Sequence, residues 1–353
     1  MFWVTYRQFR ATLLGTLAVI VVIAAATIAA SLALRSYPTF YSFGTLFFCY
    51  GGGTAECMSQ TVLTATTLMT VALPALIGLF VGVAVFSRDI ERGTHVLSLT
   101  QSVSPLRWYF SRVLVVFVPI VLAMAVLGAT FTWMRSLHKT GPWQTAGGID
   151  ASRFDYPIFE TSGLMPGAYT AAALMIGSLL ALLLRNTIGA MVVTLIVTVG
   201  LLVVLPTAVR QHYAAPSVET KQLSAVSGPA EYISFRESNR WTIDQNYVDA
   251  DGNVVDIDYR LCAPADSFWD EMTQRSDETY GDWLIRSDEL QARSDLERTE
   301  CIAAQGADRF ELEYHEDSQF WRFQITEVVL ALIVAALACA ASVAVVRGRL
   351  RRT

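Results

Sequence analysis

Only two of the 26 basic residues are lysines, Lys139 and Lys221, and they follow His138 and Thr220. A nucleotide-binding phosphate loop needs a Gly-Lys pair, so the chain has no such loop and is not its own ATPase by that route. The zinc-hydrolase pattern His-Glu-x-x-His and the nucleophile turn Gly-x-Ser-x-Gly are missing too. Charge is scarce as well: 16% of residues are charged against 53% hydrophobic, which excludes an ordinary soluble domain. The charge that exists is divided. Residues 209–321 carry 24 of the 31 acidic and 10 of the 26 basic residues, a net −14, and the remainder is net +9. A basic remainder spread over short loops orients membrane spans, while a long acidic segment can be translocated regardless of its charge. Because the one large polar region is acidic, nucleic-acid binding is not supported.

What is present is a set of long apolar runs. Val62 to Phe86 is uncharged for 25 residues and Val113 to Met134 for 22, each enough to cross a hydrocarbon core of about 30 Å as a helix. Further spans are read at 11–34, 166–184, 188–208 and 325–346. The first is longer than most secretion-signal cores, although Ala30-Ser31-Leu32-Ala33 imitates a cleavage site. Residues 1–10 place Phe2, Trp3, Tyr6 and Phe9 beside Arg7 and Arg10, the composition of a short amphipathic helix in the membrane surface. The expected fold is therefore all-α and polytopic, six transmembrane helices with both termini cytoplasmic, with a mixed α/β extracytoplasmic domain (209–321) inserted between helices five and six. The unit 322–353 completes it with the last span and a tail whose Arg347, Arg349, Arg351 and Arg352 anchor it inside.

The joint between spans two and three, residues 87–112, carries four arginines. Gly93 suits the left-handed end of a helix, Thr94 can cap a short crosswise helix to about Gln101, and Ser104-Pro105 can start the next element. Arg88-Asp89-Ile90-Glu91-Arg92-Gly93-Thr94-His95 followed by Thr100-Gln101-Ser102-Val103, with Trp3-Val4-Thr5-Tyr6-Arg7-Gln8 and Ser318-Gln319-Phe320-Trp321-Arg322-Phe323-Gln324, resembles the ABC-2-type permeases, in particular an actinobacterial branch. These are the membrane subunits of ATP-binding cassette exporters. The resemblance implies that the joint is a coupling helix seated on a separate ATPase subunit. Arg88, Asp89, Glu91, Arg92, Gly93, Thr94, His95 and Leu97 are then the coupling residues. It also implies Mg-ATP bound in that partner and no cofactor here, a second permease subunit (homodimer or related heterodimer), and efflux of a hydrophobic drug, antibiotic or peptide across the plasma membrane. Arginine outnumbers lysine 24 to 2, which with abundant alanine suits a high-GC genome. The alternative is a membrane-anchored receptor or assembly protein whose acidic outer domain binds a ligand.

Other features have an ordinary and a functional reading. Thr64, Thr67 and Thr70 in span two and Thr194 and Thr198 in span five either bond back to their own helices or line a substrate path. Pro74 can kink span two, and Gly78 and Gly82 four apart permit close helix packing. In the inserted domain, 247–259 reads as a hairpin around Asp251-Gly252, 267–272 and 282–298 as helices, and 309–315 as a strand. His315-Glu316-Asp317 lacks a second histidine at metal-ligand spacing and reads as solvated surface, and Asp256 and Asp258 as ordinary solvated carboxylates. Cys49, Cys57, Cys262 and Cys301 fall in segments read as outside, where disulfides persist; of three pairings, the local ones, Cys49 with Cys57 and Cys262 with Cys301, are favoured.

Overall fold

A computed structural model of the 353-residue chain describes residues 2–35, 44–45, 48–49, 55–91, 104–137, 152–184, 186–223, 240–264 and 267–349. Six helices in it are long and apolar enough to cross a membrane: Phe2–Leu34, Cys57–Asp89, Pro105–Ser136, Met165–Leu184, Thr187–His212 and Asp317–Gly348, here spans one to six. The chain divides into two compact units, 1–213 with 319–353, and 214–318. The inserted unit is thus a few residues shorter at each end than the 209–321 expected.

Span one departs from expectation. Residues 2–34 are one uninterrupted helix, so the separate surface helix at 1–10 is replaced by a continuous first span. Nothing at Arg10-Ala11 breaks a helix: both residues are good helix formers and no glycine or proline intervenes. Span two runs through Pro74 and then takes a π-helical turn at Gly78–Gly82. Span three opens as its sequence dictates, with Ser104 Oγ accepting from Arg107 N at 3.3 Å and Pro105 in the first turn. Span four is the enclosed helix of the unit. Its small residues Gly167, Ala172, Ala173, Gly177 and Ser178 are buried, which lets neighbouring backbones come close. Ile188, Val192, Ile196, Val199 and Val203 leave an exposed apolar stripe along span five.

Elsewhere, two short strands, β1 (Gly44–Thr45) and β2 (Phe48–Cys49), pair antiparallel. The inserted unit holds the strands β3 (Ser217–Gln222), β4 (Arg240–Val248), β5 (Val254–Val255) and β6 (Arg309–Glu316), in the antiparallel order β3-β6-β4-β5. The turn from β4 to β5 uses Gly252 at φ +86°, a conformation open to glycine, as Asp251-Gly252 suggests. Helices at Ser267–Met272 and Tyr280–Ala304 complete the unit. Tyr247, Ile257, Ile302, Phe310 and Leu312 form its small core, to which Cys262 and Cys301 are joined by a disulfide. His315 differs from expectation. It is fully buried and packs against Trp241, ring centroids 5.6 Å apart. His315 stands directly opposite Trp241 in the β4–β6 pairing, next to the irregularity of β4 between Thr242 and Asp244.

Candidate functional site

Residues 92–103, and with them Arg92, Gly93, Thr94, His95 and Leu97, lie outside the described residues, so the crosswise helix is not among the elements. The two edges of the joint are described. At the first, Asp89 forms a salt bridge with Arg112 of span three. Arg112 also donates Nη1 to Val85 O at 2.6 Å and lies 4.2 Å over the Trp108 ring and 5.3 Å over Phe9 of span one. One guanidinium therefore ties spans one, two and three at this end. Glu91 reaches a fourth: its Oε1 accepts from the Thr187 N–H, 2.6 Å away, at the start of span five. Asn186 caps the same helix end, accepting from Gly189 N at 3.0 Å. A carboxylate among free N–H groups at a helix N-terminus is favourably placed. Arg88 is exposed.

The glycine pair of span two meets span four. A Cβ on Gly78 would lie 2.8 Å from Ala173 Cβ, one on Gly82 3.0 Å from Leu174 O, and one on Gly177 2.6 Å from Gly78 O. The threonines bond within their own helices: Thr67 Oγ1 to Leu63 O (2.7 Å), Thr70 to Thr66 O (2.7 Å) and Thr194 to Ala190 O (2.6 Å). Thr198 is fully buried with its hydroxyl unpaired, and Thr64 is half-buried.

A second constellation, at the opposite ends of the spans, escaped the sequence reading. Arg210, at the end of span five, donates Nε to Glu327 Oε2 (2.9 Å) and Nη2 to both Glu327 Oε1 (2.9 Å) and Glu160 Oε1 (2.5 Å). Its Nη1 takes Phe154 O at 3.0 Å, and its plane lies 3.8 Å over Phe159. Tyr169 of span four donates to Glu327 Oε1 at 2.5 Å. All these side chains are buried. Burial, with Glu327 nearby, pushes the Tyr213 phenol above its ordinary range. The available signal was Glu327, a single acidic residue in an otherwise apolar run. Arg210, assigned to the inserted domain, offered none.

Cys57 is disulfide-bonded and Cys339 is free; the side chain of Cys49, the expected partner of Cys57, lies outside the described residues. Among the described residues, no three His, Cys, Asp or Glu side chains converge as metal ligands. Neither the curated proteins nor the solved structures yield a match. Residues 13–210, more than half of the chain and reaching from span one to Arg210, do match a family, and the protein accordingly belongs to the family described as ABC-2 membrane transporter related.

Proposed function

We propose that the chain is the permease subunit of an ATP-binding cassette exporter in the plasma membrane of an actinobacterium, paired with a second permease subunit and driven by separate ATPase subunits that bind Mg-ATP. The observation that carries this reading is the family match over spans one to five, which contains the polar joint with its ties to four spans. In this reading residues 94–101, with exposed Arg88, meet the ATPase on the cytoplasmic side. Two nucleotide states of the partner bind the joint differently and so shift the permease between conformations. Asp89 and Arg112 pass the displacement to spans one and three, and Glu91 passes it to span five. Thr64, Thr67, Thr70, Thr194 and Thr198 flank the path of a hydrophobic drug, antibiotic or peptide, and the acidic unit 214–318 lies outside.

Two measurements test this. An impermeant thiol reagent applied to intact cells should spare Ser102→Cys and label cysteines placed at 220–310; labelling of Ser102→Cys from outside removes the six-span orientation. An ATP-binding cassette ATPase co-expressed with the chain should co-purify with it, and replacing 94–101 by a Gly-Ser linker should release it. Retention with the linker would move the contact elsewhere.

A further inference from the structure

Residues 152–164 have no helix or strand of their own, yet most of their side chains are buried. They are held by side chains of the spans. Phe154 and Phe159 pack edge-on against Phe320, 5.6 Å between centroids in each case. Arg135 of span three donates to Ile158 O at 2.7 Å, to Thr161 Oγ1 at 2.6 Å and to Ser162 Oγ; Gln324 of span six donates to Phe159 O at 3.0 Å. The segment's single buried carboxylate, Glu160, meets Arg210 of span five.

The two carboxylates on Arg210 are not equivalent. Glu327 accepts three hydrogen bonds, two from Arg210 and one from Tyr169. Glu160 accepts one from a side chain, Arg210 Nη2, with its own backbone N–H nearby, while its Oε2 is buried without a hydrogen-bond partner on a side chain 1% exposed. An anionic oxygen removed from water with no donor is a costly arrangement, and a neutral hydroxyl in its place costs far less. When two carboxylates share one cation, the proton goes to the one with fewer donors. A proton also needs no cavity.

We propose that Glu160 is a proton-binding site: with segment 152–164 seated on Arg210, Oε2 carries a proton taken from hydronium, which leaves as water, and unseating the segment returns that proton to water. Glu327 remains the ionised partner of Arg210. The groups facing Glu160 pull both ways. Arg135 of span three and Arg210 of span five favour the anion, Glu327 of span six opposes it, and Tyr156 of the segment and Tyr169 of span four stand by as neutral phenols. Burial is the largest influence and raises the carboxyl above its ordinary range against the pull of Arg210. A value raised in the seated form means that protonation favours seating. The proton's contribution to seating is therefore complete below the ordinary carboxylate range and is lost as pH rises through the seated value. Between the two, the opening constant changes by up to about tenfold per pH unit for one proton.

The test is hydrogen exchange of the full-length chain in lipid nanodiscs. It follows the amides of Phe159, Ser162 and Gly163, which donate to Asp155 O, Phe159 O and Thr132 Oγ1. After correction for intrinsic exchange, wild-type protection should fall as pH rises above the ordinary carboxylate range. Glu160→Gln, permanently neutral, should stay protected with no pH dependence. The infrared difference between wild type and Glu160→Gln should contain a protonated-carboxyl carbonyl band that disappears over the pH range in which protection falls. Glu160→Gln exchanging like wild type at every pH, or no such band while the segment is protected, would overturn the proposal. Neither readout involves transport, so their failure leaves the exporter reading standing.

Discussion

Glu91 Oε1, in the last turn of the helix Ala84–Glu91, accepts a hydrogen bond of 2.6 Å from the backbone N–H of Thr187, the first residue of span five. A carboxylate in the last turn of its own helix opposes that helix's dipole, and the N-terminus of span five supplies the offset. Glu91→Gln keeps the acceptor and loses the charge, which is worth about 0.3–1 kcal/mol at a helix end. Glu91→Ala also loses the cap, about 1 kcal/mol. The solubilised protein should therefore unfold at successively lower temperature in the order wild type, Gln, Ala. The ATPase should still co-purify with Glu91→Gln, while its hydrolysis responds less to substrate. Loss of the ATPase from Glu91→Gln with unchanged thermal stability would place Glu91 in the partner contact instead.

Spans two and four touch through glycine. The Cβ of Gly177→Ala would sit 2.6 Å from Gly78 O, a backbone atom that cannot rotate aside, whereas Cβ atoms on Gly15 and Gly200 meet nothing within 4 Å. Overpacking of this kind costs about 1–3 kcal/mol. Gly177→Ala should lower thermal stability in detergent markedly, and Gly15→Ala and Gly200→Ala should not. Equal effects for all three would mean that the close approach does not govern assembly.

The parts legible in the sequence are those set by local pattern. Spans two and three announce themselves as uncharged runs, and 309–315 as a strand by its alternating Phe310, Leu312 and Tyr314. The helix expected at 282–298 runs over Tyr280–Ala304, because Thr279 caps its start by accepting from Asp282 N at 3.2 Å. The ion cluster was invisible because it is tertiary: Glu160 and Arg210 are 50 residues apart, and Arg210 and Glu327 are 117 apart. Glu91 and Thr187, 96 residues apart, were hidden for the same reason. Periodicity reports which face is buried and is silent on which partner buries it.

Cys262 and Cys301 are joined across a sequence separation of 39. Closing a loop of that length stabilises by about 3 to 4 kcal/mol in the chain-entropy model, large for a unit with so small a core. Non-reducing peptide mapping should recover the linked fragments. Cys262→Ser with Cys301→Ser should leave the membrane unit intact and make 214–318 sensitive to protease. Resistance equal to wild type would show that the sheet and its core hold the unit without the bridge.

Within the same unit, Arg286 gathers the turn before the long helix. It donates Nε and Nη2 to Glu278 at 2.7 and 2.6 Å, Nη2 also to Thr273 O at 3.2 Å, and Nη1 to Glu271 O. Its hydrogen bonds, with that of Arg275 N, hold the Glu278 carboxyl at about 2, against an ordinary 4.5. Because the folded value is depressed, the unfolded chain binds the proton more readily. The contribution of Glu278 to stability is therefore complete above 4.5 and is lost as pH falls towards 2. Hydrogen exchange of 267–304 in the full-length chain should show wild-type protection declining across that interval. Glu278→Gln should begin less protected at neutral pH, decline less, and meet the wild type at the acid end. Parallel curves would mean that the fork orders the turn without linking it to pH.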